Sequence, residues 1–124
     1  MAIKHKGDLT CALSVKDLSK AMAWYKDTLG FELVYKLDDM GWCEMKTAVK
    51  DVSLGLSQVE KPEVKGGATL VFGVSDIDKA RGELEKKSVR FDGETQTIEG
   101  MVKLATFFDP DGNKFMLSQS LSNH

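Results

Sequence analysis

The chain holds only two histidines, His5 and His124, and both stand in the terminal segments, where order is least expected. The interior serines and cysteines therefore have no imidazole to activate them, and no nucleophile–base pair is expected. Cys11 and Cys43 lack the close paired spacing of zinc sites or thioredoxin-like motifs, and sit within apolar stretches, so they read as buried, reduced thiols. What remains is Trp42 two positions before Glu44. An indole offers a large, rigid surface for stacking, and a carboxylate offers a proton acceptor. Each also has a plainer reading: Trp42 as a cap on the core or a dimer contact, Glu44 as a solvated strand residue or the partner of Lys46.

The elements that must position these residues come in two copies. Val15-Lys16-Asp17-Leu18-Ser19-Lys20-Ala21 recurs as Val74-Ser75-Asp76-Ile77-Asp78-Lys79-Ala80, the signature of a duplicated unit. An alternating apolar run precedes each copy, Thr10 to Val15 and Thr69 to Val74, and predicts a strand. A helical stripe follows, with Leu18, Ala21, Met22, Tyr25 and Leu29 in the first copy and Ile77, Ala80 and Leu84 in the second. Asp17 and Asp76 are placed as N-caps. Gly30 suits the left-handed residue that ends the first helix, and the second copy has Ser88 in that region.

Three further strands are expected after each helix: Phe31 to Leu37, Gly41 to Thr47 and Val52 to Ser57, then Arg90 to Asp92, Val102 to Phe108 and Lys114 to Gln119. Asp109-Pro110-Asp111-Gly112 carries the residues of a type I turn and should join the last two as a hairpin. The charged stretch Val59 to Gly67, with Pro62, Gly66 and Gly67, is expected as the linker between unit 8–59 and unit 66–120 of a single 1–124 domain. If the helix covers one face of each four-stranded sheet, the apolar member of each alternating pair faces it. Thr10, Trp42, Glu44, Lys46, Ser53, Gly55 and Ser57, with Thr69, Val71, Lys114, Met116 and Ser118, then fall on the opposite, concave side. Most are small, which leaves room for a ligand.

Composition narrows the function classes. The formal charge is −2, with 17 basic and 19 acidic residues interspersed, so no basic stripe is present to follow nucleic acid. Hydrophobic residues make up 42% of a 124-residue chain, enough for one core without disulfides. The first residues lack an apolar export segment, and the longest apolar run, Ala68 to Val74, falls far short of the ~20 residues of a membrane span. A cytoplasmic location is expected.

The duplicated unit, the run Trp24-Tyr25-Lys26-Asp27-Thr28-Leu29-Gly30-Phe31 and the turn Phe108-Asp109-Pro110-Asp111-Gly112-Asn113 resemble the vicinal-oxygen-chelate superfamily over nearly the whole chain. The resemblance implies an α+β fold in which two βαβββ units of mixed sheet form a half-open barrel, the glyoxalase and bleomycin-resistance fold. It also implies metal-ligand positions at Thr10 and Thr69, seven residues before each capping Asp, and at Gly55 and Met116 late in each final strand. A hydroxyl, a thioether and a glycine are poor ligands for divalent ions, so no metal and no cofactor are expected.

The leading expectation is therefore a metal-free protein that binds or sequesters a small apolar or aromatic molecule. Its expected contacts are Thr10, Trp42, Glu44, Gly55, Thr69 and Met116, with no catalytic residue assigned. The resemblance further implies a homodimer. The alternatives are an enzyme of lyase, isomerase or dioxygenase chemistry with an unconventional site, or a dimeric interaction module with a vestigial cavity.

Overall fold

A computed structural model of the protein describes residues 4, 6–62 and 69–121, and the chain divides into two compact units, Met1–Glu63 and Val64–His124. His5, His124 and much of the expected linker lie outside the described residues.

The first unit runs β1 (Leu9–Val15), α1 (Leu18–Leu29), β2 (Glu32–Leu37), a 3₁₀ turn (Asp38–Met40), β3 (Trp42–Lys46) and β4 (Val52–Gln58). Its sheet has the order β1-β4-β3-β2, with β1 parallel to β4 and the other pairs antiparallel. α1 starts where expected: the Asp17 carboxylate accepts from the Lys20 N–H at 3.0 Å, satisfying a first-turn donor. Gly30 ends it at φ 75°, a left-handed conformation in which its N–H donates to Lys26 O. The helical stripe is buried, with Leu18, Ala21 and Tyr25 at most 5% exposed. It packs against Cys43, Met45, Leu54 and Leu56 of the sheet, all similarly buried.

The second unit runs β5 (Leu70–Gly73), α2 (Ile77–Lys86), β6 (Arg90–Phe91), β7 (Gln96–Ile98), β8 (Val102–Phe108) and β9 (Lys114–Ser120). β5 pairs in parallel with β9, and β8 runs antiparallel to β9, β6 and β7. This sheet has five strands, one more than the four expected, because the edge opposite β8 is broken in two. Gly93 at φ 73° lets the chain leave the sheet after Asp92. Arg81 of α2 holds the excursion, donating from Nη2 to Gly93 O at 2.7 Å and from Nη1 to Thr95 Oγ1 at 3.1 Å. Its guanidinium also lies 4.4 Å from the Phe91 ring centroid. Ser88 takes the left-handed conformation after α2, at φ 62°, the role Gly30 fills in the first copy.

A tie not foreseen from sequence recurs in both units. The Gln58 side chain at the end of β4 accepts from the first N–H of α1, that of Leu18, at 2.8 Å. Gln119 in β9 does the same for Ile77 of α2, also at 2.8 Å. These orphan donors are thus satisfied from the neighbouring strand. The Asp109–Asn113 hairpin forms as expected, with Gly112 N–H donating to Asp109 O. The buried Asp109 carboxylate gathers the N–H groups of Asp111 and Asn113 and the Asn113 amide. Among the described residues no helix is long and apolar enough to cross a membrane.

Candidate functional site

The face of the first sheet away from α1 carries an aromatic platform. Strand pairing aligns Ala12, Gly55, Glu44 and Tyr35 in one row across the four strands. The adjacent row holds Ser14, Ser57, Trp42 and Leu37. Cys43 and Met45 turn to the helix and are at most 1% exposed, so Trp42, Glu44 and Lys46 take the opposite side by alternation.

Gly55 is where the indole lies. A Cβ built at residue 55 would overlap Cη2 of Trp42 and stand 2.5 and 2.9 Å from Cζ2 and Cζ3, so only glycine leaves space for the ring. At its other end the indole Nε1 donates to the Tyr35 hydroxyl at 2.9 Å. The ring is therefore seated on β4 and tethered to β2, a fixed apolar surface half-exposed on the sheet.

Alternation alone does not bring Tyr35 to this face, and the reason is a bulge. Simple alternation from Phe31 through Leu33 would send Tyr35 and Leu37 to the helix and Lys36 away from it. The register instead shifts between Leu33, opposite Met45, and Tyr35, opposite Glu44. One extra residue, Val34, reverses the faces beyond it. Lys36 consequently reaches the helix side, where its Nζ donates to Ser19 Oγ of α1 at 3.5 Å, and Tyr35 reaches the platform.

Thr10 lies on the same face as Gly55, opposite Ser53 of β4. Thr69 stands immediately before β5, and Met116 pairs with Val71 on one side and Thr106 on the other. The corresponding face of the second sheet also carries Arg90 opposite Phe108 and Phe108 opposite Lys114, with the Arg90 guanidinium 4.5 Å from the Phe108 centroid. On the helix side of the first sheet, burial pushes the Cys43 thiol pKa up, against smaller lowering effects from a Leu56 backbone hydrogen bond and the Lys36 charge.

The chain belongs to the Glyoxalase/Bleomycin resistance protein/Dioxygenase superfamily, whose model matches residues 9–117. It is 30% identical to the uncharacterized protein YraH of Bacillus subtilis (strain 168), covering 85% of this chain and 91% of that one. Among solved structures it is similar to a member of the same superfamily from Sphaerobacter thermophilus, with a TM-score of 0.79 and 26% identity over 95% of this chain and 98% of the other. It is also similar to TnmS3, an antibiotic binding protein from Streptomyces sp. CB03234, with a TM-score of 0.75 and 30% identity over 97% and 98%.

The donor set does not fit the metal that the resemblance implies. At residue 55 there is no side chain, and the indole of Trp42 fills the space a carboxylate would need. Thr10, Thr69 and Met116 offer two neutral hydroxyls and a thioether, weak donors to a divalent ion. Among the described residues no three His, Cys, Asp or Glu side chains come together.

Proposed function

We propose that this protein binds a small apolar or aromatic molecule on the face of its first sheet away from α1, using the Trp42 ring in place of a metal. One observation carries the reading: the indole is held at both ends, by the Gly55 gap and by the Tyr35 hydroxyl. A ring fixed before the ligand arrives loses little entropy on binding, which favours affinity. Thr10, Glu44 and Gly55 border the ring in this proposal, and Thr69 and Met116 are proposed as ligand-binding residues of the second unit taken by itself. Similarity to an antibiotic binding protein at 30% identity supports a small-molecule role over a structural one.

The proposal extends to a single-domain, homodimeric, cytoplasmic protein, with residues 59–67 as the linker and no resident metal or cofactor. Leu33, Val34, Leu37 and Met40, all at least 43% exposed on or beside the edge strand β2, support a contact between copies. Two free cysteines are in keeping with a reducing compartment.

Titration of planar aromatic compounds into Trp24→Phe and Trp42→Phe variants tests the binding reading. The expected outcome is a fluorescence response that survives in Trp24→Phe and vanishes in Trp42→Phe. Trp24 packs edge-on against the buried Tyr25, with ring centroids 4.9 Å apart, and has no part in the platform. A full response from the Trp42→Phe variant overturns the proposal.

A further inference from the structure

The platform has a polar edge whose hydrogen-bonding capacity is half used. An indole Nε1–H can only donate, whereas a phenolic hydroxyl both donates and accepts. In the Trp42–Tyr35 bond the Tyr35 oxygen is therefore the acceptor, and its own hydrogen is left for another group. Tyr35 is 42% exposed, and among the described residues no second bond uses that hydrogen. Directly across the strand pair stands Glu44, whose Cβ is on the order of 5 Å from that of its partner in such a pairing. Its half-buried carboxylate makes no hydrogen bond or ion pair among the described residues.

Beside one apolar ring the sheet thus presents a spare donor and a spare acceptor on neighbouring strands. A single hydroxyl satisfies both, since its oxygen accepts from Tyr35 while its hydrogen goes to Glu44. An apolar ligand satisfies neither and strips water from both on binding. We infer that Tyr35 and Glu44 form a specificity pair that selects aromatic ligands bearing a hydroxyl group over their unsubstituted counterparts. The inference rests on the binding role proposed for Trp42, but assigns a ligand class and gives the Tyr35 hydroxyl hydrogen and the Glu44 carboxylate a part that this role alone does not require.

Equilibrium dialysis against naphthalene, 2-methoxynaphthalene and 2-naphthol tests it. The methoxy compound keeps the accepting oxygen and lacks the hydrogen for Glu44. The unmodified protein is expected to prefer 2-naphthol to naphthalene by roughly tenfold, the yield of one to two net hydrogen bonds, with the methoxy compound between them. Tyr35→Phe also releases the indole from its tether and should weaken all three compounds, but it should cut the naphthol-to-naphthalene ratio several-fold as well. Glu44→Ala should abolish the preference for naphthol over its methyl ether. If Tyr35→Phe weakens all three compounds alike, Tyr35 only steadies Trp42 and the specificity role is refuted. Equal binding of naphthalene and 2-naphthol to the unmodified protein refutes the specificity pair while leaving the binding reading intact. Failure of all three to bind removes the binding reading itself.

Discussion

The ring of Trp42 lies in the volume that a side chain at residue 55 would occupy. The two positions are on neighbouring strands, with Gly55 opposite Glu44 and Trp42 opposite Ser57, so the indole reaches diagonally across the sheet. Glycine here serves close approach, since its φ is not in the left-handed region.

Gly55→Ala should accordingly dislodge the ring, costing about 1–3 kcal/mol as overpacking usually does. In a Trp42→Ala background the same change should cost little, because the clash has gone. Urea denaturation of the four members of this cycle measures the coupling. Equal costs in the two backgrounds would show that residue 55 and the ring are independent.

Purified protein should carry far less than one transition metal per chain, and a chelator should leave its thermal midpoint unchanged. The warrant is the weak donor set at positions 10, 55, 69 and 116. Elemental analysis checks the first statement and a melting curve with and without chelator the second. One tightly held metal per chain would move the enzyme alternative to first place.

Gln58→Ala and Gln119→Ala should each destabilise the protein by about 1 kcal/mol, the usual worth of a hydrogen bond whose donor becomes orphaned at a helix start. Both bonds measure 2.8 Å, so the two effects should be similar. Denaturation midpoints of the single variants settle this, and an unchanged midpoint would mean that water replaces the glutamine without cost.

Cys43 should make stability fall at alkaline pH. Burial raises its pKa, so the folded state holds the thiol proton more tightly than the unfolded chain does. The associated stability is fully present below the unfolded thiol's pKa and is lost as pH rises through the raised, folded value. Comparing urea midpoints of the protein and its Cys43→Ala variant across neutral to alkaline pH isolates this slope. Thiol reagents should also modify the half-buried Cys11 before Cys43.

The parts legible in the sequence are those governed by local chemistry. Alternation located the strands to within a residue or two, the capping aspartates and Gly30 bounded α1, and Asp109 to Gly112 announced the hairpin. Alternation puts Gly55 on the face with Trp42, yet the overlap between them depends on the strand register. Tyr35 is hidden because Phe31, Leu33, Tyr35 and Leu37 keep one apolar phase, and the bulge at Val34 that reverses it comes from pairing with β3. Gln96–Ile98 escaped notice because the break before it is held by Arg81, a residue of another element. The two glutamine ties span 40 and 42 positions, and no local pattern marks them.

Those ties also bear on how such a chain can change over evolutionary time. Gln58 follows Ser57, and Gln119 follows Ser118, so along each strand a residue that serves the helix sits next to one that faces away from it. Substitutions at alternate positions can then recast what the exposed surface recognises while the attachment of strand to helix passes on unaltered. The two halves show the separation: both carry the glutamine, whereas one face has Trp42 over a glycine and the other an arginine laid on Phe108. A descendant with new ligand preferences need not first reinvent its scaffold.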